Sequence, residues 1–303
     1  MNKRLWRTLA LSLILTVAIT TGTYGCSNPK TSITEQGSAV VLNNGNKKLL
    51  LQNFDLNGFY RSLQVSVAKE YQQVNIYGGI VNHHLLADKL IAEFYVTVAA
   101  SKPELVILVG ANHSNVGIAT VHTSIWDWET AFGDVKVNRE LIRYLINEGQ
   151  VGYNYDLLTN EHSIAAHIPY LKYYMPESEL LPLILSSAVE TSSVVTLAEK
   201  LYEQIKDKQV LIIASIDFSH YLSLEQADKK DLITKELILN RDSQQLSLLN
   251  DAYLDSPASA IFLFTLLGKF GSKQQAILNQ SNSALIHPSE FNSTTSYMTV
   301  IYF

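Results

Sequence analysis

The sequence predicts the α/β class: one three-layer α/β sandwich built on a largely parallel central sheet. Three observations lead to this. From about residue 74 onward, short β-rich runs alternate with amphipathic stretches. Several of those runs are apolar throughout, as strands covered on both faces must be. The alternation itself is that of strands joined by crossover helices.

In chain order, residues 74–81 read as the first strand and residues 86–100 as a helix. Residues 104–110 form a continuous apolar run between turn formers and read as a buried strand. Helical patterns follow over 138–147 and 161–174. Buried strands are expected at 180–185 and 210–215, separated by a helix over about 192–206. Further helices are expected over 224–239 and 257–270. Short strands at 276–278 and 297–303 close the chain; lacking crossover helices, they are expected to pair antiparallel.

Of the 303 residues 47% are hydrophobic and 17% charged, enough for one substantial core. No internal repeat or low-complexity run interrupts it. Residues 1–25 stand apart. Lys3, Arg4 and Arg7 precede an apolar run from Leu9 to Ile19, followed by small residues, which is the layout of a secretory signal. The run is shorter than the ~20 residues that span a bilayer. Cys26 is the only cysteine, and Thr23-Tyr24-Gly25-Cys26 resembles a bacterial lipobox, with Thr23 where leucine is usual. The expectation is an exported lipoprotein held at the membrane by its signal or by lipid on Cys26. An uncleaved anchor and an ordinary cleavage site are the alternatives. Residues 26–50 read as a flexible tether and 51–303 as the folded domain. Losing Lys3, Arg4 and Arg7 takes the formal charge from −5 to −8. An acidic chain without a basic cluster repels phosphate backbones, which argues against nucleic acid as a partner.

Polar clusters follow three predicted strands: Asn82-His83-His84, Asn112-His113-Ser114, and Ser215-Ile216-Asp217-Phe218-Ser219-His220. In open α/β sheets, ligands bind outside the carboxyl ends of the strands, so these histidines can converge. A fourth cluster, Asn160-Glu161-His162-Ser163, opens a helix. Taken singly, Glu161 also fits a first-turn carboxylate and Asp217 a loop-fixing one. His122, His167 and His287 read as loop residues with local hydrogen bonds. Four clusters on one edge point to a metal or acid/base site.

From Tyr77 to Phe303 the sequence resembles the Memo family, also called AmmeMemoRadiSam system protein B. Glu161-His162-Ser163, His167-Ile168-Pro169 and Ser215-Ile216-Asp217-Phe218-Ser219-His220 follow two of its long motifs in order. His83 and His113 match histidines of two shorter motifs, while Asn82 and Leu85 depart from the first. Residues 128–133 resemble a further segment, with Ala131 in place of proline. The resemblance implies a fold like the class III extradiol dioxygenases and a metal held by His83, His113 and a cysteine. Asp255 stands where the family has that cysteine. A carboxylate in place of a thiolate shifts preference from Cu(I) toward Fe(II), manganese or zinc, and two imidazoles plus a carboxylate is the composition of non-haem iron oxygenases. Ser256-Pro257 already supplies a helix cap, leaving Asp255 free.

The expected function is therefore a dioxygenase-like redox enzyme with one divalent ion, Fe(II) first and zinc or copper as alternatives, acting on a small molecule. His83, His113 and Asp255 are the expected ligands. His162 and His220 are the expected proton-transfer groups, with Glu161 and Asp217 orienting those rings or the metal-ligand imidazoles. A zinc hydrolase and a non-enzymatic metal- or peptide-binding surface protein are the rival readings.

Overall fold

In the computed structural model, which describes residues 47–52, 54–64, 66, 71 and 75–303, the apolar runs lie side by side at the centre of one sheet. The strands are β1 (Leu49–Leu50), β2 (Gly78–Val81), β3 (Leu105–Ala111), β4 (Val121–Thr123), β5 (Trp128–Thr130), β6 (Gly133–Val135), β7 (Gly152–Tyr153), β8 (Glu179–Leu185), β9 (Val210–Ser215), β10 (Gln275–Asn282) and β11 (Ser296–Tyr302). The main sheet runs β10-β11-β2-β9-β3-β8-β4-β7. Its centre, β2-β9-β3-β8, is parallel. As expected from the sequence, β10 and β11 are antiparallel additions at one side. A second, small sheet joins β1, β5 and β6.

The helices are α1 (Leu56–Gln64), α2 (Asp88–Val98), α3 (Arg139–Asn147), α4 (Tyr155–Asn160), α5 (His162–Ala165), α6 (Ile168–Tyr174), α7 (Thr191–Ile205), α8 (Leu224–Asn240), α9 (Ser243–Leu246), α10 (Pro257–Phe270) and α11 (Ser283–Ile286). Successive strand residues face opposite sides of a sheet, and β2 shows what covers each. A Cβ on Gly78 would run into Leu263 of α10, and one on Gly79 into Phe94 of α2. Helix α7 packs with α10, and α1 and α6 with α2, giving three layers. Gly79→Ala is expected to cost about 1–3 kcal/mol, because Phe94 and the Val300 carbonyl leave no room for a methyl. A lower denaturation midpoint at unchanged m-value checks this.

The differences from the sequence reading have local causes. Residues 161–174 are not one helix. Glu161 is extended (φ −84°, ψ 115°) and caps α5, while Pro169, in the first turn of α6, starts a fresh helix after His167. The first strand begins at Gly78, and residue 74 lies outside the described residues, as do the signal, Cys26 and most of the tether. Leu49, assigned to the tether, is buried in β1 beside Trp128, so folded structure starts before residue 51. Among the described residues no helix is long and apolar enough to cross a membrane.

Candidate metal centre

Because β2, β9 and β3 are adjacent and parallel, the loops after them leave the same edge of the sheet. These loops carry His83, Asp217 and His113. Asp255 arrives from the loop before α10, and its backbone N–H donates to the Asp217 carbonyl (3.1 Å). Glu161 and His162 arrive where α5 begins.

The three expected ligands meet. Asp255 Oδ2 lies 3.2 Å from His83 Nε2 and 3.6 Å from His113 Nε2. Two ligands sharing an ion at about 2.1 Å, at tetrahedral to octahedral angles, stand roughly 3.0–3.4 Å apart, close to these separations. His83, His113 and His162 form one cluster with donor atoms within 4.8 Å, and His83, Asp217 and Asp255 another.

The hydrogen bonds fix which ring nitrogens face inward. Ser215 Oγ donates to the Ser163 carbonyl (2.6 Å), so its lone pairs receive His83 Nδ1–H (2.9 Å) and His167 Nε2–H (3.0 Å). With Nδ1 protonated, the neutral His83 ring presents a bare Nε2. His113 Nδ1 donates to Glu161 Oε1 (2.8 Å), which leaves its Nε2 facing Asp255. His83 Nε2 and Asp255 Oδ1 are buried without a hydrogen-bond partner. Orphaned polar atoms at this depth need a proton or an ion to satisfy them. The donor set thus fits a divalent cation of the first transition row.

Electrostatics agree. Burial opposes charge on His83, but Asp217 and Asp255 outweigh it and raise its pKa. Burial also opposes charge on His113, where hydrogen bonds to Asp255 and Glu161 win and lift its pKa to about 10. Against burial, His83 and His113 hold the Asp255 carboxyl well below the usual carboxylate range. At neutral pH both imidazoles therefore hold a second proton that a metal has to displace, beside a carboxylate that stays ionised.

The four expected proton-transfer and orienting residues divide. Glu161 accepts from His113 N (2.9 Å), His113 Nδ1 and Ser163 N (2.9 Å), so it caps α5 and orients His113 together. Asp217 accepts from His83 N (3.1 Å) and stands 3.5 Å from its Nε2. The His162 ring stacks on His113, centroids 4.2 Å apart, and its side chain is 59% exposed. Burial of the rest of the ring and the nearby His83 and His113 charges lower its pKa, so it is a neutral base at neutral pH. His220 lies outside both clusters, its Nδ1 buried without a partner. His84 also lies outside both clusters, and its Nδ1 is hydrogen-bonded to Tyr297 Oη (2.8 Å).

Two histidines depart from their loop assignment. His122 sits on β4, covered by Gly117 and Gly152. His167 is fully buried, and sequence reasoning missed both it and Ser215 as supports of His83. The shared Ser215 motif was visible, but the bond to His167 depends on the break before Pro169. Burial, then the His83 charge, lowers the His167 pKa to about 3. An unfolded histidine binds its proton near pH 6.5. The contribution of His167 is therefore intact above that pH and is lost as pH falls toward 3, at about 1.4 kcal/mol per pH unit. Between pH 6 and 4, wild type should lose stability relative to His167→Leu at about that slope, read from urea midpoints.

Two cavities of unlike character reach the cluster. One, about 460 Å3, opens on His83 and His162 and is walled largely by apolar and aromatic residues. The other, about 320 Å3, opens on His113 and Asp255, and its wall mixes Asn and Ser with apolar residues such as Leu185, Val189 and Ile261.

A family model described as Memo-like protein matches residues 64–301. A MEMO1 family protein of Desulfurococcus amylolyticus is 27% identical over 210 residues, 67% of this chain and 71% of the relative. A MEMO1 family protein of Saccharolobus solfataricus is 31% identical over 183 residues, covering 56% of this chain and 59% of the relative. One from Thermotoga neapolitana is 35% identical over 151 residues, 48% of this chain and 53% of the relative. The matches therefore span between about half and 71% of these relatives' lengths. Among solved structures, the uncharacterized protein JW3007 from Escherichia coli K12 superposes with a TM-score of 0.48 at 11% identity, covering 74% of this chain and 99% of that one.

Proposed function

The chain belongs to the Memo family, and on that footing we propose that it is a metal-dependent, dioxygenase-like redox enzyme with Fe(II) held by His83, His113 and Asp255. The observation that carries the proposal is the convergence of two imidazole Nε2 atoms, their Nδ1–H groups committed elsewhere, on a buried carboxylate. Two imidazoles and a carboxylate is the donor set of non-haem iron oxygenases. Such an ion would supply Lewis acidity and a redox partner for dioxygen. His162, neutral and stacked on His113, accepts the proton of a substrate hydroxyl. Glu161 fixes the His113 ring, and Asp217 anchors the backbone of His83.

The iron-loaded chain is expected to consume oxygen with a catechol as substrate, and His162→Ala to slow uptake by roughly 100-fold or more. The same three ligands also suit zinc and hydrolysis. Ester cleavage by the zinc-loaded chain, with no oxygen uptake by the iron-loaded one, would put the hydrolase first. We further propose that the chain is exported and lipidated on Cys26, with the residues between Cys26 and β1 as spacer. A mature N-terminus at Cys26 carrying acyl mass is the expected result, and an unmodified Cys26 would contradict it.

A further inference from the structure

Two neighbouring rings in the core each carry a polar atom without a partner among the described residues. Tyr95, on α2, is fully buried with its Oη unbonded, and the fully buried His167 has an unbonded Nδ1. The two rings lie 5.8 Å apart. His167 commits Nε2–H to Ser215 Oγ (3.0 Å), so its Nδ1 is a bare acceptor. An orphaned O–H donor and an orphaned nitrogen acceptor thus sit on adjacent rings. Packing does not account for the hydroxyl. A phenylalanine at 95 would fill the same space without burying an unpaired polar group, which is unfavourable. A buried group left unsatisfied calls for another explanation, redox chemistry among them.

Tyr95 stands between the metal centre and the surface. On the inner side, Ser215 Oγ receives both His167 Nε2–H and His83 Nδ1–H (2.9 Å), so one hydroxyl joins the neighbour of Tyr95 to a metal ligand. On the outer side Tyr95 stacks on Tyr170, with centroids 5.8 Å apart and planes inclined by 24°. Tyr170 lies 4.8 Å from Phe59. Phe59 in turn lies 5.6 Å from both Tyr173 and Tyr60, each nearly half exposed. Phenols give up an electron far more readily than benzene rings. Tyr95, Tyr170 and the surface tyrosines are therefore the redox-active members, and Phe59 is a bridge.

We infer that Tyr95 and Tyr170 form an electron relay joining the metal centre to Tyr173 and Tyr60 at the surface. The relay discharges the centre when a peroxide reaches it without substrate. Hydrogen peroxide takes one electron from Fe(II) and one from Tyr95; its O–O bond breaks and two hydroxides leave. The phenolic proton of Tyr95 goes to His167 Nδ1, leaving a tyrosyl radical. A surface phenol then gives an electron inward through Tyr170 and its proton to water. Tyr95 takes that electron together with the proton held by His167. A one-electron reductant of the ascorbate class restores the surface phenol with an electron and a proton. The iron rests on the redox reading above; the path of rings from His167 to the surface does not.

The test mixes the iron-loaded full chain, without substrate, with hydrogen peroxide. Electron paramagnetic resonance of freeze-quenched samples reads tyrosyl radical, and a nitroso spin trap with peptide mass analysis reads where it emerges. Loss of Fe(II) is followed separately. A tyrosyl radical, with adducts on Tyr173 or Tyr60, is the expected result. Tyr95→Phe, which removes only the orphaned hydroxyl, and Tyr170→Phe should each abolish those adducts with iron content unchanged. Iron oxidised without a tyrosyl radical, adducts that avoid Tyr60 and Tyr173, or adducts that ignore either substitution would overturn the relay and leave the redox reading. A chain that takes up no iron, or iron that peroxide does not oxidise, would overturn both.

Discussion

Asp255→Ala is expected to abolish tight metal binding while the fold survives. Among the described residues, Asp255 brings the only buried carboxylate that stands within 3.6 Å of both His83 Nε2 and His113 Nε2. Loss of an outer partner of a ligand costs about 10- to 100-fold in affinity, and loss of a ligand should cost more. The backbone loses a single acceptor, for Asp217 N at 3.2 Å, a cost of about 1–3 kcal/mol. Helix α10 keeps its cap, because Ser256 Oγ still receives Ser259 N. Saturating Fe(II) should raise the Tm of wild type, since a ligand that binds only the folded state stabilises it. The variant should unfold cooperatively with no such rise. A Tm rise equal to that of wild type would remove Asp255 from the site.

Glu161→Ala should damage fold and site together. The carboxylate is buried and accepts three N–H groups, two from His113 and one from Ser163. Against burial, the His113 bonds hold its pKa below the usual range, so it is ionised at neutral pH. Removing it orphans those donors and uncaps α5, an expected loss of roughly 3–5 kcal/mol. The His113 ring, no longer tied through Nδ1, should also bind metal about 10- to 100-fold more weakly. Glu161→Gln preserves shape but sets an amide N–H against a donor, so its stability should fall between wild type and alanine. Chemical denaturation and metal titration of both variants check this. A stability loss with metal affinity unchanged would reduce Glu161 to a helix cap.

What was legible in the sequence follows from where the signal lies. The centre of the sheet was readable because β3, β8 and β9 are buried on both faces and must be apolar throughout. The site edge was readable because His83, His113 and Asp217 directly follow such strands. Asp255 had no such marker, and family resemblance alone pointed to it. The small sheet was not legible, since strands of two or three residues carry no periodicity and Leu49 pairs with Trp128 far along the chain. Helix α1 was missed because its buried face is reduced to Phe59 and two small residues, Gly58 and Ser62. The role of Ser215 depends on His167, which faces inward only because Pro169 breaks the helical run.

The most direct test of the metal centre is elemental analysis of the chain purified anaerobically and reconstituted separately with iron and zinc. About one ion per chain, lost in Asp255→Ala, is the expected result. No bound metal after either reconstitution, or the same metal content in the variant, would contradict the account.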